Sequence, residues 1–437
     1  MFTDVMGILS LPNSKAPRHS NPQSDISSHM PEKSFDRTIK VTQRSGLALA
    51  LSGGGYRATL FHLGLLRRLN EVGLLKHVDA ISSVSGGSIT NALLAKNFSW
   101  KKETLSKEKW DESIRNPLVE FCKKDIRTMP ILKSLVRFWK PGVAVGKTEE
   151  NYHRYLSNQT LGDLPEEVDF VFCASDLVFS TIWYYRRQTS DSRRTGNHRA
   201  GWVKDWENIP VAKAVAASSC FPPIFGPQVL GLNAHEFRKP SRRDPAWEDQ
   251  VSRIRLTDGG VYDNLGLEPV WTRYKGVICS DGGKPSVFKA TKGVGNLMRY
   301  TDVIQGQVAS LRQRMLISAA NSEELDFSTL YSAIDKSDKA NGYSKSFVDE
   351  VITNIRTDLD GFSESEARVL ENHGYTLTDH YLHRFTSEEP WKGLIDQVAF
   401  DNPAVPFPGE MDEERMRREL AHSSKRSILF FTPKRSL

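Results

Sequence analysis

The sequence of this 437-residue chain predicts an α/β fold, in which helices flank both faces of a central, mainly parallel sheet to give three layers, followed by a helical C-terminal region. Two observations support this prediction. Short apolar runs of strand length alternate with segments whose leucines recur at three- and four-residue intervals, which is the pattern of a helix. Glycines or a serine follow each of the first two runs, so residues 47–97 read as strand, turn, helix, strand, turn and helix.

The first predicted strand is Leu47–Leu51, and three glycines follow it at Gly53, Gly54 and Gly55. Glycine has no Cβ, so the backbone there can turn tightly and approach a ligand. These glycines also open a helix, whose first N–H groups lack intrahelical acceptors and lie at the positive end of its dipole. Such donors can hold the oxyanion of an acyl-transfer intermediate.

The second predicted strand is Val78–Val84, and it leads to Ser85 and a turn completed by Gly86 and Gly87. This arrangement is typical of a nucleophile elbow, a sharp strand-to-helix turn that exposes the serine Oγ. The elbow crowds the backbone, so its neighbours must be small, as Ser83 and both glycines are. A short S-x-S-G-G motif also occurs by chance in loops, so alone it does not establish catalysis.

The glycine turn has a second interpretation, as a dinucleotide-binding fingerprint. Gly53, Gly55 and Ala58 follow a predicted strand at the required spacing. That fingerprint expects an acidic residue at the end of the next strand, where this chain has Ser85; Asp79 falls at the start of that strand instead. The dinucleotide alternative is therefore weakened, and a P-loop is excluded because no Gly-Lys-Ser/Thr follows the glycines.

Composition and charge narrow the function classes. The chain has 39% hydrophobic residues and a formal net charge of +6, but no apolar run of the ~18 residues that a membrane span needs. Its basic clusters are short and scattered, which favours a solvated surface over a nucleic-acid site. No histidine or cysteine spacing fits a metal site, and the cysteines predict a cytoplasmic protein with reduced thiols at Cys122, Cys173, Cys220 and Cys279.

A basic amphipathic segment lies between residues 129 and 140. Met129, Leu132 and Trp139 fall on one helical face there, with Lys133 and Arg137 elsewhere. Such a segment can lie on a membrane surface. It can also bury its apolar face against the core, which is the interpretation that the pattern favours.

Two predicted strands further along the chain end in the same Asp-Gly-Gly turn. Arg253–Thr257 leads into Asp258, and Lys275–Ser280 leads into Asp281. Because the carboxyl ends of parallel strands share one edge of a sheet, Asp258 can lie beside Ser85 although the two are distant in sequence. Asp-Gly is also ordinary turn chemistry, so taken alone either aspartate is more readily a turn residue than a base.

Four segments, taken together and in order, carry a family resemblance. They are GGGYR at residues 53–57, SVSGG at 83–87, ASSCFPP at 217–223 and DGGVYDN at 258–264. In this order and spacing they resemble the patatin-like phospholipase family from about Leu47 to Gly283, and no motif matches beyond that range. The order of the four is specific, whereas any one of them would not be.

The resemblance implies a dyad of Ser85 as nucleophile and Asp258 as its partner, without histidine. Asp258 is preferred to Asp281 because the family's Val-Tyr-Asp-Asn continuation follows only Asp258. The aspartate would take the serine proton during attack on an ester, and no metal or organic cofactor is required. The family's elbow usually begins with glycine, where this chain has Ser83. The pattern also implies supporting turn residues, namely Gly86, Gly87, Gly259 and Gly260.

The resemblance also implies an oxyanion hole in the glycine-rich loop. Gly54 and Gly55 would donate their N–H groups to the oxyanion, and Gly53 would shape the loop. Arg57 would either add positive charge to the hole or brace the loop.

These implications predict a lipid acyl hydrolase, of phospholipase A or lysophospholipase/esterase type, acting on a phospholipid or other lipid ester. Peripheral contact with a membrane surface is expected, and a nucleic-acid partner is not. Three alternatives stay open: a Ser-Asp-His hydrolase, a dinucleotide-binding protein, and a catalytically silent lipid-binding relative. The first would use a later histidine, namely His373, His380 or His383.

The sequence also predicts three parts along the chain. Residues 1–44 predict a flexible arm, because 11–44 are rich in Ser, Pro, Asn and charge. Residues 45–385 predict the catalytic domain, with a core at 45–290 and a helical extension at 291–385. Residues 386–437 predict a C-terminal tail.

Overall fold

The structure describes most of the predicted catalytic domain and much of the segment that follows it. The computed structural model describes residues 44–128, 143–187, 194–222, 225–238, 240, 244–283, 294–322, 326–337, 341–383, 391 and 393–424. The predicted arm up to residue 43, the amphipathic segment at 129–140 and the last residues of the predicted tail lie outside this range.

One mixed sheet of eleven strands forms the centre of the described structure. The strands predicted at 47–51, 78–84, 253–257 and 275–280 are all present, with their ends shifted by at most two residues. The strands are β1 (Leu47–Leu51), β2 (Val78–Ser83), β3 (Asp169–Asp176), β4 (Thr181–Tyr185), β5 (Gly196–Asn197), β6 (Gly201–Val203), β7 (Gln228–Val229), β8 (Phe237–Arg238), β9 (Arg255–Asp258), β10 (Gly276–Asp281) and β11 (Ser328–Ala333).

The sheet has a parallel part and an antiparallel part. In the order β11-β10-β1-β2-β3 all neighbours are parallel, and β4, β5, β6 and β8 continue the sheet with antiparallel pairing. Strand β9 pairs antiparallel with both β3 and β7. The parallel part confirms the predicted fold class and the strand–helix–strand unit, since β1 and β2 are parallel neighbours. The antiparallel extension has no counterpart in the prediction.

Helices cover the sheet, and two of them begin at the turns that the sequence singles out. The first starts at Gly55 and the second at Gly86, directly after Ser85. Each helix of the described chain is too short or too polar to cross a bilayer. The helices are α1 (Gly55–Glu71), α2 (Gly86–Asn97), α3 (Lys107–Trp110), α4 (Asn116–Cys122), α5 (Val143–Tyr155), α6 (Val211–Ser219), α7 (Trp247–Ser252), α8 (Gly260–Asp263), α9 (Val294–Ala320), α10 (Lys345–Glu350), α11 (Glu364–Leu382), α12 (Gln397–Asp401) and α13 (Glu413–Glu419).

Alternating residues of β1 show the three layers. Successive side chains of a strand point to opposite faces of the sheet. The leucines of β1 join the large core cluster together with the leucines of α1. The alanines of β1 join a second cluster that includes Leu316 of α9. Helices therefore lie on both faces of the sheet at the strand that precedes the glycine-rich loop.

Helix α1 is buried between the sheet and α11, and its charged residues are paired there. Arg67 forms a salt bridge with Glu371, and Arg68 forms one with Asp379. Buried charges need such partners, because desolvation without them is costly. The two helices approach closely at Gly64, where an added Cβ would lie 1.9 Å from the Glu371 carbonyl oxygen. These contacts hold α1, and with it the glycine-rich loop at its start.

Part of the predicted C-terminal tail packs on the same helix. Arg68 donates hydrogen bonds to the carbonyl oxygens of Ala399 and Phe400. Trp391 and Met416 are buried as well. Much of the segment from 391 to 424 therefore contributes to the core around α1.

Candidate active site

Ser85 lies in a strained turn between β2 and α2. Its φ of 51° and ψ of −115° are values that residues other than glycine rarely adopt. A Cβ added at Gly86 would lie 2.1 Å from the Gly55 carbonyl oxygen, and one added at Gly87 would lie 2.4 Å from the Leu51 carbonyl oxygen. The turn therefore requires both glycines, and its shape is that of a nucleophile elbow.

Ser83 fits the elbow because its hydroxyl group is hydrogen-bonded. The hydroxyl is buried and donates to the Val171 carbonyl oxygen at 3.0 Å. It also accepts hydrogen bonds from Asn91 and Ser88. The extra hydroxymethyl group at this position therefore leaves no buried polar atom unpaired.

Strand β9, which ends at Asp258, runs in the opposite direction to β2, which leads to Ser85. Strand β2 pairs with the first half of β3 and ends with Ser83 beside Phe172. Strand β9 pairs with the second half of β3 and ends with Asp258 beside Ala174. Since β4 occupies the other edge of β3, the carboxyl ends of β2 and β9 face each other. The expectation that parallel strand ends bring the two residues together is therefore wrong, because β9 runs antiparallel.

The carboxyl group of Asp258 is buried, and only one of its two oxygens accepts a well-formed hydrogen bond. Its Oδ1 accepts the Gly260 N–H at 2.7 Å, whereas its Oδ2 has no partner of full hydrogen-bond geometry among the described residues. Burial raises the pKa of Asp258 to about 7, and hydrogen bonding from the Gly260 N–H and the Ser85 hydroxyl limits the rise. The hydroxyl thus interacts with the carboxyl without a well-aligned hydrogen bond, which is common for acid–base pairs without substrate.

The carboxyl group of Asp281, in the second Asp-Gly-Gly turn, has both oxygens engaged. Its Oδ1 accepts the Gly283 N–H at 2.9 Å, and its Oδ2 accepts the Tyr331 hydroxyl at 2.6 Å. Part of the residue is exposed, but the carboxyl itself is enclosed, and this burial raises its pKa while the Tyr331 hydroxyl opposes the rise. The contacts of Asp281 are therefore those of a structural turn residue.

The glycine-rich loop lies directly beside the elbow. A Cβ added at Gly53 would lie 3.2 Å from the Ser85 Cβ. Gly54 and Gly55 have φ values of 145° and 57°, which favour glycine. The Gly53 N–H donates to the Asn264 carbonyl oxygen, whereas the Gly54 and Gly55 N–H groups donate to no acceptor among the described residues. Two unpaired amides therefore lie beside Ser85 at the start of α1.

Arg57 braces the loop through three backbone carbonyl groups. Its guanidinium donates to the carbonyl oxygens of Gly282, Thr353 and Ile355 at 3.0 to 3.2 Å. Burial lowers the pKa of Arg57 to about 10, while nearby Asp281 opposes the change. The side chain therefore stays charged at neutral pH. Two roles were expected for it, adding charge to the oxyanion hole or bracing the loop, and its contacts match the second.

Ser218 is a site residue to which the sequence argument assigns no role. Its hydroxyl oxygen accepts the Ser85 N–H at 2.9 Å. Its carbonyl oxygen accepts the Gly259 N–H at 3.2 Å. Ser218 therefore connects the elbow with the turn of Asp258. Its place in the segment 217–223 was the signal that could have indicated this.

The histidines considered for a triad contact residues other than Ser85 and Asp258. His373 is buried, its Nε2 donates to the Ile334 carbonyl oxygen at 2.9 Å, and burial lowers its pKa to about 4. His380 and His383 lie against aromatic rings at the end of α11. In the ranges that the structure describes, no histidine is hydrogen-bonded to Ser85, and no group of His, Cys, Asp and Glu could hold a metal ion.

Comparison with models of protein families identifies the family of the chain. The model described as Patatin-like phospholipase matches residues 49–271, just over half of the 437 residues. The chain belongs to the patatin-like phospholipase family. All four motifs lie within the match, so the family predicted from them is confirmed. Asp258 lies inside the matched residues and Asp281 lies beyond them.

Two proteins that are similar to parts of the chain have names that describe them as phospholipases. The chain is 36% identical over 80 residues to "Putative meiotic phospholipase SPO1" of Saccharomyces cerevisiae, which covers 18% of this chain and 12% of that protein. It is 25% identical over 190 residues to "Cytosolic phospholipase A2 gamma" of Mus musculus, which covers 40% of this chain and 30% of that protein. The chain thus spans less than a third of either curated relative.

A solved structure aligns with more of the chain. It is human GIVD cytosolic phospholipase A2, with 11% sequence identity and a TM-score of 0.45. The alignment covers 82% of this chain and 63% of that one.

Proposed function

We propose that this chain is a serine acyl hydrolase that cleaves carboxylic esters of phospholipids or related lipids through Ser85 and Asp258. Membership of the patatin-like phospholipase family supports lipid ester hydrolysis. The observation that carries the proposal is a strained Ser85 and a buried Asp258 at facing strand ends, with an Asp258 Oδ2 that has no hydrogen-bond partner among the described residues and a carboxyl group that interacts with the Ser85 hydroxyl.

The first chemical step uses Asp258 as the general base. The Asp258 carboxylate takes the proton of the Ser85 hydroxyl while Oγ attacks the ester carbonyl carbon. An ordinary aspartate has a pKa of about 3.9 and is a weak base at neutral pH. Burial raises the pKa of Asp258 to about 7, which brings it close to the value at which a base is most effective in neutral solution.

The amides of the glycine-rich loop stabilise the charge that develops on the carbonyl oxygen. Gly54 and Gly55 offer N–H groups that no described residue engages, at the positive end of α1. Gly53 and Arg57 act on the loop instead, since the Gly53 N–H and both terminal nitrogens of the Arg57 guanidinium already donate to carbonyl oxygens. We therefore assign the oxyanion contacts to Gly54 and Gly55 and the shaping of the loop to Gly53 and Arg57.

The tetrahedral intermediate then collapses with loss of the alcohol part of the lipid. The bond between the carbonyl carbon and the alkoxide oxygen breaks, and protonated Asp258 gives its proton to that oxygen. Water next attacks the acyl group on Ser85, with Asp258 again taking a proton and returning it to the serine oxygen as it leaves. The products are the alcohol, a carboxylic acid and the regenerated enzyme.

Replacement of Ser85 tests the proposal. Ser85→Ala should abolish labelling by a fluorophosphonate probe and lower phospholipid hydrolysis by at least about 10³-fold. Ser252→Ala is the matched control, because Ser252 is an exposed serine at the end of α7 and should label and turn over like the wild type. Hydrolysis that persists in Ser85→Ala would exclude the assignment.

We also propose a cytoplasmic location with peripheral contact with a membrane. The mouse relative is named a cytosolic phospholipase. The four cysteines are free and buried, in agreement with the expected reduced thiols. Fractionation of cells that express the full chain would test the location, and recovery in a secreted fraction would contradict it.

A further inference from the structure

Helix α9 carries most of the exposed large hydrophobic residues of the described chain. Nine large hydrophobic residues are exposed in the described chain, and five of them lie on this helix. Three of the five are more than half exposed, with Tyr300 at 63%, Ile304 at 61% and Leu311 at 58%. Single exposed apolar residues are normal, whereas a cluster marks an interaction surface. We call the set of five the α9 stripe; it consists of Tyr300, Val303, Ile304, Leu311 and Ile317.

The α9 stripe lies on the side of the helix that faces away from the protein. At about 100° per residue, its members fall within an arc of about 140°. Leu316 and Ala319 lie on the opposite side and pack in the core cluster beneath the sheet. The helix is therefore anchored by one side, and on the other side the apolar residues are interspersed with exposed polar ones, namely Gln307, Ser310, Arg314 and Ser318.

The α9 stripe lies at the end of the sheet that carries the proposed site. Strand β10 ends level with the glycine-rich loop, and α9 is the next element described in the chain. Arg312 anchors α9 to the turn after Asp258 through salt bridges with Asp263 and Glu268. Tyr300 lies about a dozen residues earlier, or about 18 Å along the helix axis. The first half of α9 therefore extends beyond the edge of the sheet near the dyad.

Positive charge accompanies the apolar residues. Arg314 is exposed within the arc of the α9 stripe, and Arg299 is partly exposed at its margin. The sequence of α9 contains three arginines and one acidic residue, Asp302. Apolar residues with interspersed arginines suit an anionic bilayer, because the apolar groups enter the acyl region while the guanidinium groups stay among the headgroups.

We propose that the α9 stripe docks the protein on the surface of an anionic phospholipid bilayer. The choice of a bilayer over a second protein copy rests on the proposed lipid hydrolysis and on the arginines in the stripe. Docking there would hold the edge of the sheet with Ser85 close to the lipid that the enzyme cleaves.

Vesicle co-sedimentation tests this surface apart from turnover. The full chain carrying Ser85→Ala is mixed with phosphatidylcholine vesicles that contain or lack phosphatidylserine. Adding Ile304→Asp and Leu311→Asp should weaken binding to the anionic vesicles at least about tenfold. Arg314→Gln should weaken it about fivefold. Val398→Asp is the matched control, since Val398 is 76% exposed on α12 and should bind like the parent.

The outcomes separate the surface from the chemistry. Unchanged binding of the Ile304→Asp, Leu311→Asp chain would overturn the proposal, and so would an equal loss in Val398→Asp. A dimer in sedimentation velocity that these two changes abolish, without an effect on vesicle binding, would assign the stripe to self-association instead. Thermal unfolding checks that the variants are folded. Stripe-dependent vesicle binding by a wild-type chain that hydrolyses no ester would refute the proposed function and leave the surface intact.

Discussion

Two turns of the same sequence, Asp258-Gly-Gly and Asp281-Gly-Gly, follow strands of the same sheet but differ in the partners of their carboxyl groups. In both, Oδ1 accepts the N–H of the second glycine. The Oδ2 of Asp281 accepts the Tyr331 hydroxyl, whereas the Oδ2 of Asp258 is buried without such a partner and its carboxyl interacts with Ser85. The chemistry of a carboxyl group is therefore decided by what the fold places against it, since the turn itself is the same.

The strand pairings explain the difference between the two turns. Strand β10 has a parallel neighbour in β11, which supplies Tyr331 beside the carboxyl of Asp281. Strand β9 ends against the tip of β2, where the neighbour is the elbow. A strand that meets another end to end leaves its last side chain facing the turn that follows the other strand.

The largest expected contrast is in turnover. Asp258→Asn should lower kcat/KM for a lipid ester by about 10³- to 10⁴-fold, because the amide cannot accept the Ser85 proton. Asp281→Asn should leave kcat/KM within about threefold, since its carboxyl contacts Gly283 and Tyr331 and not the serine. Steady-state kinetics of the two purified variants measure the contrast. Equal losses in both would remove the distinction between the turns.

The pH dependence of turnover gives the next contrast. Only the carboxylate form of Asp258 can act as a base, so kcat/KM should fall about tenfold per unit as the pH drops below about 7. Asp281→Asn should keep this acidic limb at the same position. A pH–rate profile on a soluble short-chain ester measures it. A limb near pH 4 would mean that the carboxyl of Asp258 is not shifted by burial.

The smallest contrast is in stability. The pKa of Asp258 is higher in the folded protein, about 7, than the ~3.9 of an unfolded aspartate, so ionisation opposes folding and stability falls as the pH rises between these values. Asp258→Asn removes this cost. It should raise the free energy of unfolding at pH 8 by on the order of 1–4 kcal/mol, with little gain at pH 4.

Denaturant unfolding at the two pH values checks this prediction. Ser85→Ala serves as the control, because it removes the hydroxyl but leaves the ionisable carboxyl in place. Its stability should still decline between pH 4 and pH 8. An Asp258→Asn protein that is less stable than the wild type at pH 8 would contradict the argument.

Much of the active-site framework is encoded locally and could be predicted. The bounds of β1 and the start of α1 follow from an apolar run and glycines, because tight turns exclude side chains wherever they occur. The requirement for Gly86 was predicted for this reason, and the 2.1 Å approach to the Gly55 carbonyl oxygen shows the crowding. The family was predictable as well, since it depends on the order of four motifs.

Three features could not be predicted from the sequence. They are the direction of β9, the bracing contacts of Arg57, and the hydrogen bonds by which Ser218 connects the elbow with the turn of Asp258. Each depends on a neighbour that is remote in the chain: β3 for β9, Ile355 for Arg57, and Ser85 for Ser218. Periodicity reports which face of an element is buried but not which element covers it. Remote pairing therefore had to come from the folded structure.

Residue order was enough to establish that this protein has an α/β core, a serine on a sharp turn and glycines at the start of a helix, because these features depend on neighbours within a few positions. Only the strand pairing decided which groups surround the carboxyls of Asp258 and Asp281. A turn has the same local energy wherever its strand lies, whereas the environment of its carboxyl depends on the strand that packs beside it.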